Sequence, residues 1–132
     1  MYKKALLEAA AGAHQNAYAP HSGFKVGAAL LTNSGKTFVG ANVENSSFGL
    51  TICAERSAIA AAIAAGETKF RSIAITIESD QPTVPCGGCR QVLAEFNPSL
   101  EIVTATVAGE VEILNLADLF PKPYQGLSLK HV

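Results

Sequence analysis

The sequence predicts an α/β fold of three layers, in which helices cover both faces of a central mixed β-sheet. Segments typical of strands and of helices alternate along most of the chain, which is the pattern of a sheet with helices packed on its faces. Two early apolar runs separated by a short turn predict a β-hairpin. A chain of 132 residues with 48% hydrophobic and 16% charged residues is typical of one well-packed domain, which we expect to span residues 1–132.

The first twenty residues predict an amphipathic helix with Leu6, Leu7 and Ala10 on one face. Glu8 and Gly12 interrupt its apolar character, so the segment is unlike a signal peptide, and no apolar run reaches the length of a membrane span. We therefore expect a cytoplasmic protein without a membrane partner, whose thiols stay reduced.

The hairpin follows this helix. Its first strand is predicted over Phe24–Thr32, because the run is short and apolar, and the turn lies at Asn33–Lys36. The second strand is predicted over Thr37–Asn45, and the polar and glycine-containing residues 46–51 form a loop.

The segment from Cys53 to Gly66 predicts a second helix, since it is rich in alanine and ends at a glycine. Alanine covers nearly its whole surface, and a helix without a polar side is usually buried all round. In so small a domain, the expected cover for its second side is another subunit.

The second half of the chain predicts strand, helix and two strands. The first strand spans Ser72–Ile77, and the helix spans Cys86–Phe96 with its apolar residues on one stripe. A strand over 101–108 then leads through a turn at Gly109 to a short strand over 111–114.

The charge distribution argues against nucleic-acid binding. The net charge is −1 and the basic residues are scattered along the sequence. Proteins that bind long nucleic acids concentrate positive charge on one surface, so we expect no nucleic-acid partner.

The three cysteines are placed as metal ligands. Cys86 and Cys89 are three residues apart and share a helix face, and both they and Cys53 lie where a helix is predicted to begin. The partial positive charge of a helix N-terminus stabilises the thiolate form, which is the form that binds zinc. A complete disulfide framework is impossible with an odd number of cysteines. The three sulfurs can instead converge on one tetrahedral ion.

A count of three ligands favours a catalytic site over a structural one. Structural zinc sites use four protein ligands, whereas catalytic sites leave one position for water. The three histidines, His14, His21 and His131, have no ligand-like spacing. We therefore expect water in the fourth position, although folding can still bring a histidine to the metal.

Two charged residues next to Cys53 fit such a site. Zinc lowers the pKa of its water, and the proton needs a carboxylate to accept and deliver it, a role that Glu55 is long enough to fill from the first turn of the helix. Arg56 lies on the same helix face as Cys53, where its guanidinium can offset the charge of three thiolates. Taken alone, Glu55 is better explained as an acid that complements the helix dipole, and Arg56, without the cysteines, as an exposed ion-pair partner.

With these motifs established, the chain resembles the homotetrameric zinc-dependent cytidine deaminases. The resemblance covers nearly the whole chain and includes AYAPHSGFKVGAALL, GANVENSSFGLTICAERSAI and PCGGCRQVLAEF. Zinc nucleobase deaminases in general share this type of signature. It implies a cytidine deaminase-like fold, one Zn²⁺ per chain, and hydrolysis of cytidine or deoxycytidine to uridine or deoxyuridine plus ammonia, as in pyrimidine salvage. It also implies a homotetramer.

The resemblance also implies a role for individual residues. Glu55 would be the proton shuttle, and the backbone at Ala54 and Cys86 would recognise the polar edge of the base. Asn42 and Glu44 are two residues apart on the predicted strand and therefore point the same way, as a sugar-binding pair would. The zinc ligands would be Cys53, Cys86 and Cys89, and Phe24 would pack on the pyrimidine ring. Alone, a phenylalanine at the edge of an apolar run more often belongs to the core.

The chain departs from the family pattern at a few positions. His21 and Phe48 stand where the family commonly has tyrosine, and the C-terminal segment is altered. In the family that segment helps to close a neighbouring subunit's pocket, a role for which Phe120 and Tyr124 are the candidates. These changes leave the zinc chemistry intact and bear on substrate preference.

Five other interpretations stay open from the sequence. The same zinc motifs occur in deaminases of blasticidin-type antibiotics, and a modified cytosine nucleoside is another possible substrate. A nucleic-acid-editing deaminase is opposed by the near-neutral charge. A thiol redox pair at Cys86 and Cys89 leaves Cys53 and Glu55 without a role. A structural zinc module would need a fourth protein ligand.

Overall fold

The computed structural model describes residues 2–126 and contains one five-stranded sheet in the order β2-β1-β3-β4-β5. β3 and β4 pair in parallel, and the other three pairs are antiparallel, so the sheet is mixed as predicted. The strands are β1 (Val26–Thr32), β2 (Thr37–Ala41), β3 (Phe70–Ile77), β4 (Glu101–Thr106) and β5 (Val111–Asn115).

Helices cover both faces of this sheet, which confirms the three-layer architecture. α1 packs on one face, whereas α2 and α3 pack on the other. The helices are α1 (Tyr2–His14), α2 (Ala54–Ala64), α3 (Gly87–Phe96) and the short α4 (Leu116–Leu119), with a 3₁₀ turn at Phe48–Leu50.

The central strands β1, β3 and β4 are buried along nearly their whole length because both faces are covered. In β1, Ala28 and Leu30 face α2 and α3, while Ala29 and Leu31 face α1. This alternation divides the interior into two cores that share the sheet.

The hairpin strands are shorter than predicted. β1 begins at Val26 and not at Phe24, and β2 ends at Ala41 and not at Asn45. After Ala41 the backbone of residues 42–44 bonds to Tyr18 and Ile52, and the Asn42 side chain bonds to the backbone on either side of Lys25. The prediction that a continuous strand carries residues 42–45 is therefore wrong.

α2 packs unusually close to β2 because of a glycine. A Cβ atom placed on Gly40 would lie 2.4 Å from the Ala58 nitrogen and 2.5 Å from the Ala54 oxygen. The glycine therefore sets the distance between the sheet and the N-terminal half of α2.

The alanine-rich helix is buried on one side only within the single chain. Ala54, Ala58 and Ala62 have no exposed surface, whereas Ile63 is 40% exposed. All-round burial is thus not achieved by this chain alone. No helix in the range 2–126 combines the length and the apolar character needed to cross a membrane.

Candidate active site

The three cysteines meet where α2 and α3 begin, as the sequence predicts. Cys53 is the residue before α2, Cys86 is the residue before α3, and Cys89 lies in the first turn of α3. Their Sγ atoms all lie within 4.8 Å of one another, and none of the three forms a disulfide. Two helix N-termini therefore direct their positive ends at one cluster of thiols.

The cluster fits a zinc ion. Two Zn–S bonds of about 2.3 Å at a tetrahedral angle separate their sulfurs by about 3.8 Å, which agrees with sulfurs that all lie within 4.8 Å of one another. In residues 2–126, no histidine or carboxylate oxygen joins the three sulfurs within the same distance. His131 lies outside the described residues. The donor set is thus that of a site with three protein thiolates and one open position.

The cysteines differ in their acidity because they share hydrogen bonds. The hydrogen bond with Cys89 and the nearby guanidinium of Arg56 lower the pKa of Cys53 to about 5, against the opposing effect of partial burial. The same hydrogen bond, together with burial, raises the pKa of Cys89. One thiolate is therefore stabilised before any metal binds, and metal binding displaces the remaining protons.

Arg56 contacts the cluster as predicted. Its Nη2 atom lies 3.6 Å from the Cys53 Sγ atom and donates to the Thr51 carbonyl oxygen at 3.3 Å. The contact with the sulfur raises the pKa of Arg56, so the guanidinium stays charged. A fixed positive charge thus lies against the thiolates.

Glu55 is buried beside the thiols. It occupies the second position of α2, and only 6% of its surface is exposed. Burial is the main cause that raises its pKa, and the negative charge of Cys53 adds to the effect. An exposed acid serving the helix dipole would not be buried in this way, so the simple capping interpretation does not account for the site.

A cavity of about 330 Å³ opens next to this cluster. It brings together six of the residues singled out from the sequence, namely Phe24, Asn42, Cys53, Ala54, Glu55 and Cys86. Phe24 is 44% exposed and lines the cavity, so it does not belong to the core. Cys89 and Arg56 do not line this cavity.

Asn42 holds the segment that carries Phe24. Its Oδ1 atom accepts from the Val26 nitrogen and its Nδ2 atom donates to the Phe24 oxygen, both at 2.8 Å. The amide is 92% buried, since only 8% of Asn42 is exposed. Asn42 therefore positions the ring of Phe24 at the cavity while presenting little free surface itself.

Glu44 lies in an adjoining pocket of about 340 Å³ with His21, Ser22, Phe48 and Thr51. Its carboxylate accepts hydrogen bonds from the His21 and Ser22 nitrogens and from the Ser22 hydroxyl, and the Ser22 hydroxyl lowers its pKa most. Thr51 lines both pockets, so the two spaces are neighbours.

His21 and Phe48, the two residues that differ from the family pattern, contact one another in this adjoining pocket. The rings of His21 and Phe48 meet edge to face with their centroids 6.1 Å apart. Of the two C-terminal candidates, Phe120 packs against the core of its own chain, while Tyr124 is 69% exposed.

Sequence reasoning missed several residues of the site. Ile75 and Ile77, from the end of β3, and Thr83 and Val84, from the following loop, form the far wall of the cavity. The one sequence signal for these four residues was their position between the carboxyl end of β3 and the start of α3 after Cys86. Arg90, immediately after a ligand, was also missed.

The fold and the site define a class of protein: a mononuclear zinc protein with three thiolates, an open coordination position and a buried carboxyl beside it. Comparison with known proteins agrees. The family model described as the cytidine and deoxycytidylate deaminase zinc-binding region matches residues 1–106. A cytidine deaminase from Sporosarcina psychrophila is 39% identical over 120 residues, which cover 90% of this chain and 88% of that protein.

Two further relatives give the same picture. A cytidine deaminase from Halalkalibacterium halodurans is 39% identical over 122 residues, 92% of either chain. The crystal structure of cytidine deaminase from Burkholderia pseudomallei superposes with a TM-score of 0.90 at 50% identity, covering 94% of this chain and all of that one. The chain belongs to the cytidine and deoxycytidylate deaminase zinc-binding family. The cluster of Cys53, Cys86 and Cys89 supports one zinc ion per chain.

Proposed function

We propose that this protein hydrolyses cytidine and deoxycytidine to uridine and deoxyuridine plus ammonia, the reaction of pyrimidine salvage. The observation that carries the proposal is the buried carboxyl of Glu55 beside three thiols, at the wall of a cavity that opens to solvent. Cytidine deaminases are also the curated relatives to which the chain is similar over nearly its whole length.

Cys53, Cys86 and Cys89 would hold the zinc ion. Bound there, zinc supplies a Lewis acid that makes water a nucleophile near neutral pH. The guanidinium of Arg56 keeps a positive charge against Cys53 and so limits the negative charge of the sulfur set.

Glu55 would move the protons of the reaction. As the water oxygen bonds to C4 of the cytosine ring, the Glu55 carboxylate takes one proton from that water and delivers it to N3. It then takes the remaining proton from the hydroxyl on C4 and carries it to the amino group, and the C4–N bond breaks to release ammonia. Burial raises the pKa of Glu55, which makes its carboxylate a stronger proton acceptor than an exposed glutamate.

The remaining cavity residues would bind the nucleoside. Phe24 offers a half-exposed ring for stacking on the base, and Ala54 and Cys86 place backbone groups at the cavity wall. Asn42 and Glu44 would face the sugar, the first from the cavity and the second from the adjoining pocket.

The test follows the ultraviolet absorbance of cytidine, which falls on deamination. The zinc-loaded protein is expected to convert cytidine and to stop when a chelator removes the metal. Glu55→Gln should retain one zinc per chain and lose about 10²–10⁴-fold in kcat, the usual contribution of a general acid and base. Near-normal turnover by this variant would contradict the role of Glu55. Conversion of a blasticidin-type antibiotic or a modified cytosine nucleoside, but not of cytidine, would favour the alternative substrates.

We further propose that the protein is a cytoplasmic homotetramer, each chain forming a single domain over residues 1–132. Support for assembly comes from exposed apolar side chains, including Ile63 on α2, Leu50 (67% exposed) and Phe48 (76% exposed). The free thiols fit a reducing compartment. Light scattering should give four times the chain mass, and a monomeric mass would refute the tetramer.

A further inference from the structure

Cys86 is the ligand with the least local support. It is exposed, whereas Cys89 is buried, and two glycines, Gly87 and Gly88, follow it. Neither glycine has a side chain that could pack around Cys86, and a Cβ atom at either position would meet nothing closer than 4.0 Å. A ligand in such a place needs a restraint from elsewhere in the chain if it is to be held ready for a metal.

Arg90 supplies hydrogen bonds to both peptide groups that flank Cys86. Its side-chain Nε atom donates to the Pro85 oxygen at 2.8 Å, and its backbone nitrogen donates to the Cys86 oxygen at 2.9 Å. Pro85 itself is fully buried. The backbone on each side of the Cys86 Cα atom is thus fixed by one residue.

The same guanidinium reaches the C-terminal segment. Its Nη1 atom donates to the oxygen of Leu119, the last residue of α4, at 3.2 Å. The next residue, Gln91, pairs with the backbone of Tyr124, accepting from its nitrogen at 3.1 Å and donating to its oxygen at 2.8 Å. The segment after β5 is therefore hydrogen-bonded to α3 at two places, through Arg90 and through Gln91.

We propose that Arg90 is a positioning residue for the zinc ligand Cys86, and that it braces this ligand against the C-terminal segment. The planar guanidinium can direct separate N–H groups at the Pro85 and Leu119 oxygens, which a lysine ammonium cannot do with the same geometry. The inference rests on the proposed ligand set and not on the deaminase reaction.

The experiment measures metal binding with zinc and cobalt. Zinc affinity is obtained by competition with a chromogenic chelator, and thiolate-to-cobalt absorption reports the number of bound sulfurs. Arg90→Ala is expected to bind zinc about 10–100-fold more weakly, the usual effect of removing a group that orients a ligand. Its cobalt spectrum should lose intensity at equal metal occupancy. Arg90→Lys should fall between this variant and the wild type.

Gln91→Ala is the matched control, since it releases Tyr124 without touching Pro85. It should keep the wild-type zinc affinity. Wild-type zinc affinity and a wild-type cobalt spectrum in Arg90→Ala would overturn the proposal. An equal loss of zinc affinity in Gln91→Ala would also overturn it, because docking of the C-terminal segment would then explain the whole effect. Should Arg90→Ala not fold, Arg90→Lys carries the same test.

Absence of thiolate-to-cobalt absorption in the wild type would instead refute the ligand set, and absence of cytidine turnover alone would refute only the reaction.

Discussion

The close contact between Gly40 and α2 makes the metal site sensitive to a single methyl group. In Gly40→Ala the new Cβ atom would lie 2.4 Å and 2.5 Å from two backbone atoms of α2, whereas ordinary contacts begin at 3.4 Å. The helix must therefore move by about 1 Å, since backbone atoms cannot rotate away and β2 is held in register with β1. Overpacking of this kind costs about 1–3 kcal/mol of stability.

This displacement acts at the end of α2 that carries Cys53 and Glu55, because one of the two contacted atoms is the Ala54 oxygen. A misplacement of about 1 Å lowers catalysis by about 10²-fold. We expect Gly40→Ala to lower the melting temperature, and to lower kcat on cytidine by that factor when measured per zinc-loaded, folded molecule.

Gly27 provides the matched control. A Cβ atom there would lie 2.1 Å from the Ala10 oxygen and 2.4 Å from the His14 nitrogen, so Gly27→Ala displaces α1 on the opposite face of the sheet. It should lose stability but keep kcat per folded molecule near the wild-type value. Unchanged stability and kcat in Gly40→Ala, or an equal loss of kcat in both variants, would refute the reasoning.

Four other outcomes are expected. Cys89→Ala should bind no zinc and melt at a lower temperature, as measured by metal analysis and calorimetry, because metal binding is coupled to folding; full zinc content would contradict the ligand set. Gly12→Ala, at an exposed position of α1 with nothing within 4 Å, should stabilise the protein by about 1 kcal/mol in urea unfolding, and a loss would be unexpected. Phe24→Ala should raise KM for cytidine more than it lowers kcat, whereas an unchanged KM would exclude stacking on the base. Partial burial raises the pKa of Glu101, but hydrogen bonds from Tyr2 and Ser72 outweigh it and lower this pKa in the folded state. The ionised Glu101 therefore stabilises the fold fully above the ordinary pKa of 4.5, and this stabilisation is lost as the pH falls through the lower pKa of the folded state. The stability difference between the wild type and Glu101→Gln should therefore shrink below pH 4.5, and a constant difference would contradict this linkage.

The sequence was sufficient for the parts of the site that depend on local pattern. Cys53 and Cys86 were predicted to begin helices, and the sulfurs converge because both helices begin at one edge of the sheet. The hydrophobic runs likewise predicted the order of strands and helices, since a strand covered on both faces is apolar throughout.

What the sequence could not provide depends on contacts between distant residues. β2 ends at Ala41 because the backbone of residues 43–44 pairs with Tyr18 and Ile52 and not with β1. The Asn42 side chain also bonds to Phe24 and Val26, 18 and 16 residues away. Arg90 reaches Leu119 across 29 residues, and no periodicity in the sequence records such a pair. The sequence does not predict the short helix α4, because its N-cap, Asn115, is also the last residue of β5 and four helical residues are too few to show a hydrophobic period.

The measurement that tests the central claim most directly is X-ray absorption at the zinc edge of the purified protein, together with zinc analysis. Three thiolates with one open position predict about one zinc per chain, with three sulfur neighbours at about 2.3 Å and a lighter donor at about 2.0 Å that changes when a substrate analogue is added. Fewer than three sulfur neighbours, or a fourth protein ligand that does not respond to the analogue, would contradict a catalytic zinc held by Cys53, Cys86 and Cys89.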